Sequence, residues 1–437
     1  MATTEEASNP RTDKRLTSWL IGATFVYAVS GMAYTLWWPA VVRHHSTYWA
    51  TPADIWSTVR AAHFVQWGGL SYVYSYHSTL VTLPGFNVLL APIVALSSAL
   101  GLSESSITVY LFKPQAWLLV GPFCLAVAGV ALFALDALAR RLGVVAGIRR
   151  WLAAVEVVAL WATIAIWGHP EDVLALGLAT YALLALEGDR MTLAGWLLGA
   201  AIAMQLYAVL LVPIFLGVAG VRKGVPLLIR AVVFPGFLLV AVLVPDFHSA
   251  LWSLTKQPGY PTILHPTPWV LLAPHINRIE VSSGPVHFVA LVAAAVLGLV
   301  ARRRRTDLAS IFWLAAIATG IRCLFEPVMV PYYVMPAVAL SLAVGATNRR
   351  VRWYLTLASG LGLTVMAFSH SNMWTYWFEM AGLMSTMFLC ARPMRHSSEI
   401  SMSMPSETEQ HSWPESTAAS PTPSALDIEV SAGGFAF

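Results

Sequence analysis

One turn of the chain, residues 167–172, combines an imidazole with two carboxylates between two apolar runs. The three groups belong to His169, Glu171 and Asp172. A charged side chain within a bilayer costs about 2.5–3.5 kcal/mol on insertion scales, so it is rarely found there without a partner or a function. A glycine and a proline in the same turn expose the backbone, which then requires water or protein around it. The turn is therefore either a solvated connection whose acids begin the next helix or a group of candidate catalytic residues.

A second candidate group follows the first apolar run. Asp54 lies at the start of residues 53–67, whose pattern predicts an amphipathic helix along a membrane surface. Arg60 and His63 lie on later turns of that helix and are candidate substrate-binding residues. Asp54 could simply place a negative charge at the helix N-terminus. Alternatively, it is a catalytic carboxylate at the interface where a lipid-linked and a water-soluble substrate can meet.

A third candidate group lies in the last third of the chain. Arg322 and Glu326 are four residues apart, which places them on one helix face and permits an ordinary ion pair. A guanidinium at the end of an apolar run also suits a phosphate, because its fork matches two phosphate oxygens. Tyr332 and Tyr333 follow in a proline-rich stretch and complete this substrate-binding hypothesis. Further substrate-binding candidates, in the polar loop before this stretch, are Lys256, His265 and Arg278.

The composition indicates that these groups belong to a membrane protein. The 437 residues are 57% hydrophobic and 11% charged, with a mean hydropathy of +0.67. Soluble domains carry about 25% charged residues. The net charge of +4 comes from short basic clusters between apolar runs, which argues against a nucleic-acid partner. The three cysteines all lie within apolar segments, so neither disulfides nor a zinc site is expected, and no metal site is evident, although a divalent metal stays possible.

The apolar runs predict an all-α fold, a polytopic membrane bundle of about 11–13 transmembrane helices with amphipathic helices in its outer first loop. The predicted spans are residues 18–42, 115–138, 151–167, 173–186, two short spans within 191–219 that meet near Gln205, and then 225–244, 286–300, 308–324, 327–344, 353–368 and 373–391. Residues 82–100 either re-enter or cross the membrane, and residues 245–286 are expected to form a long polar loop.

Three regions follow from this pattern. Residues 1–17 form a polar, basic tail, and residues 18–391 form the membrane domain. Residues 392–437 are rich in Ser, Pro, Thr and Glu, which predicts a disordered tail.

The distribution of basic residues predicts the orientation. Most of the 26 Lys and Arg residues lie at the N-terminus and in alternate connections between spans, which the positive-inside rule assigns to the cytoplasm. Both termini are then cytoplasmic, in a multi-pass protein of the plasma membrane. Most of the twelve histidines, together with Asp54 and Glu171, are then outside. The candidate chemistry is therefore expected on the outer face.

In this order the motifs resemble the GT-C superfamily of membrane glycosyltransferases, and especially actinobacterial polyprenyl-phosphate-dependent mannosyl- and arabinosyltransferase-like proteins. The resemblance covers roughly residues 18–391. It consists of an acid near amphipathic helices in the first outer loop, a proline-containing apolar segment, a second polar outer turn and a late Pro-Tyr stretch. These are Asp54, Leu83-Pro84-Gly85, Gly168-His169-Pro170-Glu171-Asp172 and Pro331-Tyr332-Tyr333.

The resemblance implies an inverting transfer of a mannose-like or pentose sugar from polyprenyl phosphate to a lipid or glycan acceptor. It implies Asp54 as the base, with Glu171 as the alternative, while His169 orients the acceptor or the sugar. Arg322 would bind the lipid phosphate, and membrane lipids would surround the prenyl chain. The resemblance implies no cofactor.

Two other classes stay open from the sequence. A lipid or polyprenyl-glycan flippase would share the spans and the embedded charges, but such transporters place polar groups near the bilayer midplane. Gln205 is the main candidate for such a group. A non-catalytic membrane assembly protein is the other alternative.

Overall fold

The computed structural model describes residues 10–42, 49–74, 80, 82–104, 113–255, 258–282, 287–303, 307–366, 368–369 and 372–394. These residues belong to one compact unit, Met1–Met394. Nearly all of their regular structure is helical, as the sequence predicted. Of the tail predicted for residues 392–437, residues 395–437 lie outside the described residues.

The first half of the chain follows the predicted runs closely. Its helices are α1 (Pro10–Val42), α2 (Ile55–Gly68), α3 (Gly85–Ala99), α4 (Trp117–Ala126), α5 (Ala128–Arg141), α6 (Ala146–Ala165), α7 (Pro170–Glu187) and α8 (Met191–Met204). Helices α4 and α5 together correspond to the predicted span 115–138. Helix α3 has 15 residues, fewer than the roughly 20 needed to cross a bilayer alone. Whether it crosses stays a prediction.

The chain breaks where the sequence predicted two short spans to meet. Gln205 is extended, a 3-10 turn occupies Leu206–Leu211, and α9 (Val212–Leu243) follows. Gly220 lies within α9 with φ 68°, a conformation that favours glycine and bends the helix. This bend lies between the predicted spans that end at residue 219 and begin at residue 225, so α9 consists of two helical parts joined at a kink.

The predicted polar loop has more structure than expected. It contains α10 (Phe247–Thr255) and two-residue strands β1 (Pro258–Gly259), β2 (His265–Pro266) and β3 (Val281–Ser282). Strand β1 pairs antiparallel with β3, and β2 pairs antiparallel with β4 (Val328–Met329). Through the pairing of β2 with β4, the described part of the loop is therefore bound to the segment that follows α12 in the chain.

The remaining helices are α11 (His287–Arg303), α12 (Leu308–Phe325), α13 (Met335–Gly345), α14 (Arg350–Met366) and α15 (Met373–Ala391). The span predicted at residues 327–344 is not α-helical over residues 327–334. Strand β4 and a 3-10 turn, Pro331–Val334, precede α13. Val330 is extended because the residue before a proline avoids the helical region.

Helix α7 is the central element of the bundle. Most of its residues are buried, in keeping with a helix that is apolar on every side except at its ends. It packs closely on α5, since a Cβ on Gly177 would come within 2.9 Å of the backbone nitrogen of Ala131. This packing fixes the position of the polar turn that precedes α7.

Four helical segments of the described chain are long and apolar enough to cross a membrane: Leu16–Trp38, Trp117–Arg141, Leu206–Leu243 and Leu308–Phe325. This agrees with a helical membrane protein.

Candidate functional site

The turn before α7 is held by its backbone as well as by its side chains. The N–H of His169 donates to the carbonyl of Thr163 at 2.9 Å, so the chain turns back on the end of α6. Gly168 has φ 79°, and a Cβ there would lie 2.8 Å from Pro52 and 2.9 Å from the backbone nitrogen of Ile55. The start of α2 therefore abuts the turn, which brings the segment between α1 and α2 to it.

His169 joins the carboxylates of two separate sequence motifs. Its Nδ1 lies 2.7 Å from Oε1 of Glu171 and 3.8 Å from Oδ2 of Asp172. Its Nε2 lies 3.2 Å from Oδ2 of Asp54, 115 residues earlier in the chain. All four residues predicted to be catalytic thus form one cluster.

The three carboxylates differ in exposure. The side chain of Asp54 is 58% exposed, whereas those of Glu171 and Asp172 are 5% and 4% exposed. The Oε2 of Glu171 is buried without a hydrogen-bond partner among the described residues. Within this cluster, Asp54 is therefore the carboxylate that a ligand can readily reach.

The protonation of His169 follows from its neighbours. Burial alone would lower its pKa, but the charge of Glu171, hydrogen bonds to Asp54 and Glu171, and the charge of Asp172 outweigh burial and raise the pKa to about 10. The imidazole is therefore a cation at neutral pH. As a cation it donates from both nitrogens and partly balances the surrounding carboxylates.

The same side chains have the chemistry of a metal site. His169, Glu171 and Asp172 each offer one ligand atom, and these atoms lie within 4.8 Å of one another. A nitrogen and two carboxylate oxygens suit ions such as Zn²⁺ or Mn²⁺. Either a bound divalent ion or the proton on His169 would offset the negative charge of the carboxylates in this cluster.

Two residues that the sequence did not assign to the site hold Asp172 in place. Gln205 Nε2 donates to Oδ2 of Asp172 at 3.2 Å, and the hydroxyl of Tyr207 donates to its backbone carbonyl at 3.0 Å. The sequence singled out Gln205 as the place where two short spans meet and as the midplane polar group that a flippase would use. Its contact with Asp172 depends on packing between α7 and the turn after α8, which no local pattern reports.

The Pro-Tyr stretch connects this cluster to the predicted phosphate site. The ring of Tyr332 stacks on His169 with centroids 4.1 Å apart. The ring of Tyr333 lies under the guanidinium of Arg322, 4.2 Å from Cζ to the centroid. Arg322 Nε also donates to Oε1 of Glu326 at 2.7 Å, so the predicted i,i+4 ion pair is present.

A cavity of about 260 Å³ adjoins these residues. Arg322, Gln205 and Tyr207 provide its polar wall. The rest is mainly aliphatic, with Leu206, Val209, Leu210, Leu254, Ala290 and Leu291 among the lining residues. Such a cavity combines a cation with an apolar surface.

The structure places the other predicted residues elsewhere. Arg60 lies over the ring of Phe64 at 5.6 Å, and His63 contacts Glu104 at 2.5 Å. In the described residues, the hydrogen-bond partner of Asp54 is His169 rather than Arg60.

Of the loop candidates, His265 and Arg278 belong to the described residues. His265 stacks on Tyr376, with centroids 4.4 Å apart. Arg278 is exposed. Lys256 lies outside the described residues.

Comparison with known proteins gives no further guide. No protein-family model matches the chain, and no curated protein matches it.

Proposed function

We propose that the protein is a membrane glycosyltransferase of GT-C type that transfers a sugar from polyprenyl phosphate to a hydroxyl acceptor on the outer face of the membrane. The proposal includes about 11–13 spans and cytoplasmic termini. The observation that carries it is the meeting of Asp54 with the His169 turn, next to a cavity that has Arg322 in one wall and aliphatic side chains in the others.

The reaction assigns a role to each part. Asp54 takes the proton of the acceptor hydroxyl, because a general base must be ionised and accessible to its substrate. The acceptor oxygen then attacks the anomeric carbon from the face opposite the phosphate. The carbon–oxygen bond to phosphate breaks, and its electron pair leaves with polyprenyl phosphate. The products are the inverted glycoside, polyprenyl phosphate and the proton on Asp54.

The cations of the site support this assignment. Protonated His169 fixes Asp54 through Nε2 and balances its negative charge. Arg322 is positioned to stabilise the negative charge that develops on the leaving phosphate. The aliphatic part of the adjoining cavity suits the first isoprene units of the donor. Glu171 serves mainly to hold His169, because its carboxylate is nearly inaccessible.

The first prediction follows from the role of Asp54. Asp54→Asn retains the shape and removes the basicity, so transfer should fall by at least about 10²-fold. The assay uses the purified protein in lipid nanodiscs with radiolabelled mannosyl-phosphopolyprenol and a mannoside acceptor. Glu379→Gln, an exposed change on α15, is the control and should leave turnover unchanged.

Two results would contradict the proposal. Full turnover by Asp54→Asn would assign the base to another residue. Movement of the intact donor across the membrane, with no cleavage by wild-type protein, would favour the flippase alternative instead.

A further inference from the structure

A short ribbon in the outer loop brings an aromatic ring beside a carboxylate. Strands β1 and β3 pair so that Pro258 faces Ser282 and Gly259 faces Val281. Continued by one residue, this antiparallel register places Tyr260 opposite Glu280, and their side chains are hydrogen-bonded. Both side chains are partly exposed, so they are available to a ligand.

The ribbon packs on residues 327–329, the segment that precedes Tyr332 in the chain. Gly259 lies against Val328, where an added Cβ would come within 3.0 Å of the valine side chain. Further along the loop, the N–H of Thr267 donates to the carbonyl of Pro327 at 2.9 Å, and β2 pairs with β4. Only two residues separate β4 from Tyr332, whose ring stacks on His169. The ribbon is thus anchored close to the candidate site.

Glu280 is itself held in place. Asn277 Nδ2 donates to its Oε2 at 2.7 Å, and its backbone N–H donates to Oδ1 of Asn277 at 2.9 Å. The carboxylate therefore keeps one orientation without a cationic partner in the described chain. It retains the capacity to accept hydrogen bonds from a ligand, since a carboxylate has about four acceptor sites.

Electrostatics support the location of Tyr260. Burial, the charge of Glu280, a hydrogen bond to Glu280 and the charge of Asp54 together raise the pKa of the Tyr260 hydroxyl. Tyr260 is thus within the electrostatic reach of the exposed Asp54 carboxylate. Pro258, Gly259 and Val281 of the ribbon also line one cavity with Glu326 and Tyr333, which both contact Arg322.

We propose that Tyr260 and Glu280 form the subsite that binds the acceptor, and that the acceptor is a sugar or polyol with neighbouring hydroxyls. This inference rests on the proposed glycosyltransferase function. A carboxylate accepts two neighbouring hydroxyl groups as charge-assisted hydrogen bonds. A tyrosine ring offers an apolar face to the C–H groups of a sugar and a hydroxyl at its edge. A third hydroxyl of the bound acceptor would then point to Asp54.

The same chemistry predicts selectivity. A site built to bind hydroxyl groups rejects an analogue that lacks them, because its own polar groups are left without partners. Simple alcohols and apolar lipids should therefore bind poorly. The subsite performs no covalent step; it only positions the acceptor.

Binding is testable without the natural acceptor. The full-length protein in nanodiscs would be titrated with methyl α-D-mannopyranoside and followed by saturation-transfer-difference NMR. Wild-type protein should give saturable binding, and 2-methoxytetrahydropyran, the same ring without hydroxyl groups, should give none. Glu280→Gln and Tyr260→Ala should each weaken binding about tenfold, the effect of losing one or two good hydrogen bonds or a ring contact. Glu379→Gln and Tyr354→Ala, exposed residues on α15 and α14, are the matched controls.

The outcomes separate this inference from the proposed function. Asp54→Asn should still bind the glycoside while it loses transfer. Lack of saturable binding by wild-type protein, or equal binding by Glu280→Gln and wild type, overturns the acceptor subsite even where transfer is observed. Glycoside binding that depends on Glu280, in a protein that never cleaves the donor, supports the sugar site and contradicts the transferase.

Discussion

At the scale of single residues, His169 decides how the site is arranged. One imidazole contacts Asp54 through Nε2 and Glu171 through Nδ1, and its face carries the ring of Tyr332. It therefore links the residue before α2, the start of α7 and the Pro-Tyr turn. The sequence identified His169 as a residue that could orient a substrate, and in the structure it contacts the carboxylate of Asp54.

The charge on His169 gives a pH prediction. Its pKa rises from 6.5 to about 10, so the folded state binds the proton more tightly than the unfolded chain. The resulting stabilisation is complete below about pH 6.5 and is lost as the pH rises through about 10. The thermal midpoint of wild-type protein should therefore fall over this range, and His169→Gln should reduce that fall. Scanning calorimetry with EDTA present excludes a bound divalent ion. If the thermal midpoints of wild type and His169→Gln fell equally with pH, the prediction would be contradicted, and His169 would be neutral in the native state.

At the scale of elements, α5 and α6 are joined by an ion pair at the opposite end of the bundle from the site. Arg149 contacts Asp136 through two hydrogen bonds, of 2.9 and 2.6 Å, and both side chains are largely buried. Glu156, two turns further along α6, is 1% exposed, and its Oε1 has no partner among the described residues. Asp136 on α5 is thus a buried acid with a cationic partner, whereas Glu156 on α6 is a buried acid whose Oε1 has no partner in the described chain.

This contrast gives a prediction about stability. Asp136→Asn leaves the buried guanidinium of Arg149 without its carboxylate, which costs about 3–5 kcal/mol when one partner of a buried pair is lost. Glu156→Gln keeps the shape of the side chain and breaks no ion pair of the described chain, so it should change stability little. Fluorescence-detected thermal unfolding in detergent compares the two, with Glu156→Gln as the matched control. A lower midpoint for Glu156→Gln than for Asp136→Asn would reverse the interpretation.

The sequence predicted these elements unevenly, for physical reasons. Apolar periodicity and length located α1, α6, α7 and α15 to within several residues, because burial and backbone hydrogen bonding both act over whole segments. The 3-10 turn before α13 was missed because hydropathy reports how apolar a segment is and does not report which hydrogen bonds its backbone makes. The joining of Asp54 to His169 depends on packing between α2 and the glycine turn, which no local pattern reports.

At the scale of the whole molecule, orientation stays a prediction from the basic residues, and it can be tested directly. Ile263 lies in the outer loop and Arg303 at the end of α11, and both are exposed. Cysteines introduced at these positions, with Cys390 replaced by serine and the buried Cys124 and Cys323 retained, should react with a membrane-impermeant maleimide from opposite sides. Ile263→Cys should label in intact cells, and Arg303→Cys only after permeabilisation. The reverse result would place the candidate site in the cytoplasm and exclude an outer-face acceptor.

The adjacency of Tyr332 and Tyr333 has a thermodynamic consequence. Consecutive residues of one tight turn carry rings that support the two cations of the site, and the rings themselves meet edge to face with centroids 5.1 Å apart. A displacement of either ring is therefore transmitted to both cations. In a double-mutant cycle on turnover, Tyr332→Leu and Tyr333→Leu should show a coupling energy of about 0.5–3 kcal/mol, as neighbouring residues do, and the loss in the double variant should differ from the sum of the single losses. If the loss of turnover in the double variant equalled the sum of the two single losses, then Tyr332 would act on His169, and Tyr333 on Arg322, independently of each other.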